Sequence, residues 1–114
     1  MRLPNVSRGP VLLLDIDYAP RLSEETFAFT ATVSVSGVGA CIVSNDGHGG
    51  ANRIRDRRIA ESVSAYAASL PEEPIGQGHS VRVDADFLIS LMVGEAITAR
   101  EEQALSRRRE RVRA

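Results

Sequence analysis

The strongest constraint on the fold is a strict alternation of apolar and small side chains over residues 27–36. The odd positions from Phe27 to Val35 are all apolar, whereas the even positions carry only alanine, serine and threonine. Successive side chains of a β-strand point to opposite faces, so a period of two is typical of a strand with one buried face. The alternation therefore predicts a strand whose odd positions enter a core.

Two neighbouring segments complete the predicted sheet. Residues 11–17 begin with a continuous apolar run, then alternate, and end before Pro20, which cannot donate a backbone hydrogen bond. Beyond the glycines of the next turn, residues 38–43 resume an apolar strand pattern, so residues 26–44 predict an antiparallel hairpin. Together these segments predict three antiparallel strands.

The second half of the chain has the period of helices. Apolar residues between Ile59 and Leu70 recur at helical spacing and predict a helix over residues 53–70. Residues 72–80 are rich in glycine and proline and predict a loop. A second apolar stripe predicts a helix over residues 84–112, with Asp84 as its N-cap.

The predicted fold class is α+β, with a three-stranded antiparallel sheet packed against two helices in the order β-β-β-α-α. The 114 residues predict a single domain over the whole chain, 1–114, in which residues 100–114 form a solvated basic helical arm. We call residues 100–114 the arm. Phe87 to Val93 are almost continuously apolar, which predicts that the second helix contributes to a homodimer.

Composition excludes several classes of protein. The 14 basic residues, all arginine, and 15 acidic residues give a net charge of −1, which excludes a globally basic histone-like protein and an acidic disordered tail. A single cysteine excludes a disulfide framework and a cysteine-based zinc site. With no long apolar run and no signal-peptide pattern, we predict a cytoplasmic protein that does not enter a membrane.

Residues 45–52, which we call the glycine loop, carry the strongest local signal. Three of its positions are glycine, arginines follow at once, and Asn52 is predicted as the N-cap of the first helix. Helix N-termini present unpaired amides that bind anions, so this segment predicts a site for phosphate or carboxylate. The alternative is a tight connection followed by solvated arginines. The candidate binding residues here are Asn45, Asp46, Gly47, His48, Gly49, Gly50, Asn52, Arg53 and Arg57.

Two further groups of residues have chemistry worth testing. Asp15 and Asp17 share one parity of the first strand and can bind a divalent metal with Asp46 or His48, or else serve as charges on an exposed edge. Cys41 is a possible thiol nucleophile with His48 and His79 as candidate bases, although an apolar strand favours a core role for the cysteine. We predict no catalytic residues, no bound metal and no cofactor.

The arm ends in a run of arginines. Arg107, Arg108 and Arg109 are candidate contacts to a nucleic acid, and the alternative is a solvated helix end whose cations complement the helix dipole. No aromatic residue interrupts the run, which weakens the case for stacking on single-stranded bases.

The segment from Leu22 through the hairpin to the glycine loop resembles a family of small uncharacterised proteins of bacteriophages and prophages. The resemblance rests on the Asn-Asp-Gly-x-Gly-Gly loop after a hairpin and covers residues 22–52. Relatives often carry a cysteine after the glycines, where this chain has Ala51. The resemblance implies an origin on a mobile element and a role upon a host, and it implies no catalytic residues.

The hairpin, glycine loop, basic helix start and alanine-rich helix also resemble the C-terminal half of a double-stranded-RNA-binding domain. In that family the basic residues at the helix start contact phosphates. The N-terminal helix that reads the minor groove is absent from the predicted elements, and a strand stands in its place. Similar topology by itself does not carry function.

The leading hypothesis is a non-enzymatic phage or prophage protein that binds a host protein or protein–nucleic-acid complex in the host cytoplasm. Counter-defence, such as anti-CRISPR activity, is its sharpest version. The first alternative is a nucleic-acid or nucleotide-binding protein that uses the glycine loop and the arginines to hold phosphate. The second is a metal-dependent hydrolase.

Overall fold

An antiparallel sheet lies at the centre of the computed structural model, which describes residues 1–113. Six strands form it: β1 (Arg2–Leu3), β2 (Val6–Arg8), β3 (Val11–Tyr18), β4 (Phe29–Val35), β5 (Gly39–Asn45) and β6 (Arg53–Ile54). The spatial order is β1-β3-β4-β5-β6, and β2 also pairs with β3. A separate two-stranded sheet consists of β7 (Glu73–Gly76) and β8 (His79–Val81).

The predicted three-stranded sheet is therefore wrong, although its three strands correspond to β3, β4 and β5. The strands that were missed have two to four residues each. Segments this short contain at most one or two alternations, so their period cannot be read from the sequence. Residues 72–80, predicted as a loop, hold all of β7 and the first two residues of β8.

Two helices follow, α1 (Arg57–Ala68) and α2 (Ala85–Arg113). The predicted cap of the second helix is confirmed, because the amide of Phe87 donates to Oδ1 of Asp84 at 2.8 Å. The predicted start of the first helix is wrong, since α1 begins four residues later than expected. Neither helix within residues 1–113 is long and apolar enough to cross a membrane.

Asp56, rather than Asn52, is the N-cap of α1. Its Oδ1 accepts hydrogen bonds from the amides of Arg58 at 2.8 Å and Ile59 at 3.3 Å. The residues predicted as the first helical turn instead form β6, which pairs with β5 at the edge of the sheet. Backbone pairing across the sheet thus overrides the local helical pattern at this point.

The core lies between one face of the sheet and both helices. The odd positions of β4 are buried as predicted, and they meet apolar residues from the helices. The side chains that are wholly inaccessible to solvent include Leu13, Val33, Val43, Val63, Leu88, Ile89, Met92 and Val93. The opposite parity of β4 and β5 carries mainly exposed or half-buried residues, so the helices cover only one face.

A β-bulge in β3 keeps this inner face apolar. Leu14 pairs with Thr32 and Asp17 pairs with Thr30, so β3 contains one residue more than β4 between these pairs. Asp15 lies in the bulge with a φ of 51°. Glycine adopts this left-handed region freely, asparagine and aspartate tolerate it, and most other residues avoid it.

Substitutions at the bulge test this backbone conformation. We expect Asp15→Gly to leave the free energy of unfolding unchanged or slightly higher, because glycine adopts positive φ without strain. Asp15→Val should lower it by about 1–2 kcal/mol, because a β-branched side chain clashes in this region. Urea denaturation of both variants measures the difference, and equal stabilities would contradict the bulge.

Candidate functional site

The side chain of Asn45 holds the glycine loop together. Its Oδ1 accepts hydrogen bonds from the hydroxyl of Thr26 at 2.7 Å and the amide of Gly47 at 2.8 Å. Its Nδ2 donates to the carbonyl of Gly50 at 2.9 Å and to Oδ1 of Asn52 at 3.0 Å. One half-buried side chain therefore bonds to both ends of the loop and to the segment before β4.

Asn52 ties the same loop to the first turns of α2. Its amide donates to Oδ1 of Asp86 at 2.7 Å, and its Nδ2 donates to the carbonyl of Asp86 at 3.0 Å and to Oγ of Ser90 at 2.9 Å. The residue predicted as a helix cap is thus a bridge between two elements far apart in sequence. Its role depends on α2, which no local pattern around residue 52 reveals.

The loop amides that were expected to hold an anion bond within the protein. Besides Gly47, the amide of His48 donates to Oδ1 of Asp46 at 3.1 Å, and that of Gly49 donates to Oγ1 of Thr26 at 3.3 Å. A carboxylate of Glu24 also lies 3.5 Å from Nδ1 of His48. These contacts use three of the loop's amides within the protein and place a carboxylate beside His48, which disfavours an anionic ligand at these amides.

The predicted arginine pair is not brought together on one helix face. Arg53 lies in β6, whereas Arg57 is the first residue of α1, and both are exposed. Nε of Arg57 lies 3.3 Å from Oε1 of Glu61, one turn further along the same helix. The expectation that the first helix begins at the glycine loop and carries both arginines on one face is therefore wrong.

The fold does not bring the residues of the metal and thiol alternatives together into a cluster. Oδ1 of Asp17 lies 3.1 Å from the terminal amine, and Oδ1 of Asp15 lies 3.7 Å from Nη1 of Arg2. Sγ of Cys41 accepts the amide of Asp56 at 3.4 Å. Within residues 1–113, no group of three or more histidine, cysteine, aspartate or glutamate residues could hold a metal ion.

The three loop glycines should tolerate a side chain to different extents. A Cβ at Gly47 would lie 2.0 Å from the carbonyl oxygen of Leu22, and one at Gly49 would lie 2.3 Å from Oε2 of Glu25. Both glycines have a φ of 90°, whereas at Gly50 no atom lies within 4 Å of the added Cβ.

We therefore expect Gly47→Ala to destabilise most, by about 2–4 kcal/mol, because backbone must move. Gly49→Ala should cost about 1–2 kcal/mol, since a flexible carboxylate can swing away from the strained alanine. Gly50→Ala should be nearly neutral. Thermal unfolding of the three variants gives the ranking, and equal losses would show that the loop adopts another conformation.

An open apolar groove runs along α2, and we call it the α2 groove. Phe27, Phe87 and Leu91 are half-buried in its floor, and its volume is about 650 Å³. A second hollow of about 360 Å³ continues from it, since Phe27 and Ser90 line both. The sequence places Phe87 and Leu91 beside the buried stripe of the predicted second helix. That Phe27 joins them in the groove depends on the tertiary fold.

Carboxylates border this continuous surface. Glu24 and Glu25 line the second hollow, and Glu95 and Glu102 line the α2 groove. Glu95 accepts from Nε of Arg8 at 2.7 Å, while no arginine is among the residues that line either hollow. The surface is therefore apolar in its floor and acidic at its margin.

The arm extends beyond this groove. Every side chain from Arg100 to Val112 is exposed, including those of the candidate residues Arg107, Arg108 and Arg109. Residue 114, which the predicted arm includes, lies outside the described residues. The apolar run predicted to drive dimerisation is mostly absorbed by the core, with Leu88 and its buried neighbours wholly inaccessible.

Comparisons of the chain with protein-family models, curated proteins and solved structures found no match.

Proposed function

We propose that the protein is a non-enzymatic binding protein whose α2 groove receives a protein segment with an apolar side chain between basic residues. The observation that carries this proposal is the apolar floor of Phe27, Phe87 and Leu91 within an acidic margin. Exposed apolar hollows with a polar border are typical of protein-binding sites. Lysine or arginine beside the docked side chain complements the carboxylates of the margin.

Gly94 supports the groove as a site rather than a packing defect. It lies inside α2, where glycine costs about 0.5–1 kcal/mol relative to alanine. An added Cβ would meet only the ring of Phe27, at 3.8 Å, which is an ordinary contact. Packing therefore does not require glycine here, whereas an open groove floor does.

The charge of this surface separates the protein-binding function from its alternatives. Phosphate is repelled by the carboxylates that line both hollows, so the groove disfavours a nucleotide or a nucleic acid. The resemblance to phage and prophage proteins makes a host protein the first partner to test. Counter-defence by blocking a host complex is the corresponding biological role.

Replacing the helix-interior glycine tests whether packing requires it. We expect Gly94→Ala to raise the free energy of unfolding by about 0.5–1 kcal/mol, because the helix loses less conformational entropy on folding. Urea denaturation measures the change. A loss of stability would instead show that the position is too crowded for a methyl group.

Panning a random-peptide display library on the immobilised protein tests the site. We expect peptides with leucine or an aromatic residue between lysines or arginines, and at least about tenfold weaker binding to Gly94→Leu, whose side chain fills the groove. Gly50→Leu is the matched control, because nothing lies within 4 Å of a Cβ there.

Three results would contradict the proposal. The first is a lack of enriched peptides, and the second is enrichment of acidic ones. The third is loss of binding in Gly50→Leu but not in Gly94→Leu, which would assign the site to the glycine loop. A pull-down from host lysate with the same two variants, with and without nuclease, then distinguishes a protein partner from a nucleic acid.

A further inference from the structure

We propose that two copies of the chain form an antiparallel homodimer in which their arms pair about Leu105. The contact surface extends from Thr98 to Val112, beyond the Phe27 and Phe87 end of the α2 groove. The end of this region nearer Thr98 carries Glu101 and Glu102, and the end nearer Val112 carries Arg108 and Arg109. This difference in charge determines the relative orientation of the two arms. Thr98 and Glu102 also line the α2 groove, but Phe27, Phe87 and Leu91 lie outside this contact surface, and the dimer does not depend on what the groove binds.

A seven-residue repeat marks the contact face. Leu91, Thr98, Leu105 and Val112 are each seven positions apart. At about 100° per residue they follow one side of α2 with a slow drift, and they supply one of the two positions per heptad that paired helices bury between them. Leu105 is 50% exposed and Val112 is 83% exposed, with a hollow of about 290 Å³ between them. The chain itself does not cover this face.

The charged residues beside this face form no ion pairs within their own helix. Glu101 and Arg108 border one side of the stripe, and Glu102 and Arg109 border the other. None of the four has an opposite charge three or four residues away, which is the spacing of ion pairs along a helix. Within residues 1–113 none of them forms an ion pair, so all four charges are open to a partner.

An antiparallel partner supplies these charges. When two identical helices pair in this orientation, the same side of each helix lies next to its counterpart. Glu101 then lies beside the partner's Arg108, and Glu102 beside the partner's Arg109, within about one residue of level. The twofold axis repeats both contacts. Parallel pairing would instead set Glu101 against the partner's Glu102 and Arg108 against the partner's Arg109, which repel.

Such a contact would also stabilise the exposed arm as a helix. A helix of 12–15 residues with no packed face is marginal in water by itself, and the side chains from Arg100 to Val112 are all exposed. Pairing about Leu105 places Thr98 opposite the partner's Val112. The overlap is only about two heptads, or about 22 Å, so we expect a dimer that dissociates on dilution.

Sedimentation velocity of the full chain over a series of concentrations tests the dimer. We expect the double variant Arg108→Glu with Arg109→Glu to raise the Kd at least about tenfold, because like charges then meet across the interface. Arg107→Glu with Arg111→Glu is the matched control: it makes the same change in net charge on the same arm but away from the stripe, and should leave the Kd within about threefold.

A second set of variants separates lost pairing from misfolding. Adding Glu101→Arg and Glu102→Arg to the first double variant exchanges all four charges, and it should restore the homodimer without allowing it to pair with the original chain. The orientation of the two arms is tested by disulfide formation. Chains carrying Thr98→Cys are mixed with chains carrying Val112→Cys, both with Cys41→Ser, and the mixture is oxidised. We expect the mixed disulfide, and no disulfide between two copies of residue 98.

Four results would overturn the inference. These are a monomer at every concentration, a dimer that survives the reversal at residues 108 and 109, failure of the four-charge exchange to restore it, and a disulfide between two copies of residue 98. A monomer that copurifies with nuclease-sensitive nucleic acid through the arm would also overturn it, by assigning the arginines to phosphate contacts.

Discussion

The packing of the first half of α2 against one face of the sheet organises the rest of the molecule. Leu88, Met92 and Ala96 are wholly buried there, and each large apolar side chain buried in this way contributes about 1.5–3 kcal/mol. Because these positions take one side of the helix, Leu91 and Gly94 are turned towards solvent. The groove, the arm and the attachment of the glycine loop all result from how this one helix is seated.

The glycine loop connects the sheet to α2 through the hydrogen bonds of Asn45 and Asn52. The glycines in its sequence do mark a tightly packed backbone, since Gly47 and Gly49 have positive φ and close neighbours. The prediction of an anion site came from the assumption that a helix begins at Asn52. In the structure that residue bridges to α2, and the loop amides bond to side chains of the protein. A signal for close approach does not say whether the approaching group is a ligand or the chain itself.

The near-neutral net charge conceals two regions of opposite character. Carboxylates border the α2 groove, whereas the charged residues from position 106 onwards are all arginine apart from Glu110. This polarity favours a basic partner in the groove and a reversed second copy along the arm. The two proposals use neighbouring parts of one helix, and a dimer that reaches Thr98 leaves the Phe27 end accessible. The charge pattern is therefore more informative than the total charge of −1.

The elements whose evidence is local could be predicted from the amino-acid pattern. The alternation through Phe29 and Val33 identified the buried face of β4, and the apolar stripe beginning after Asp84 identified α2. Tertiary structure alone decided the short strands, the start of α1 and the groove, because these depend on backbone bonds and contacts between distant segments. No periodic pattern in the sequence reports the pairing of β6 with β5 or the contact of Phe27 with Gly94. Periodicity records which side of an element is buried, but it does not record what lies against it.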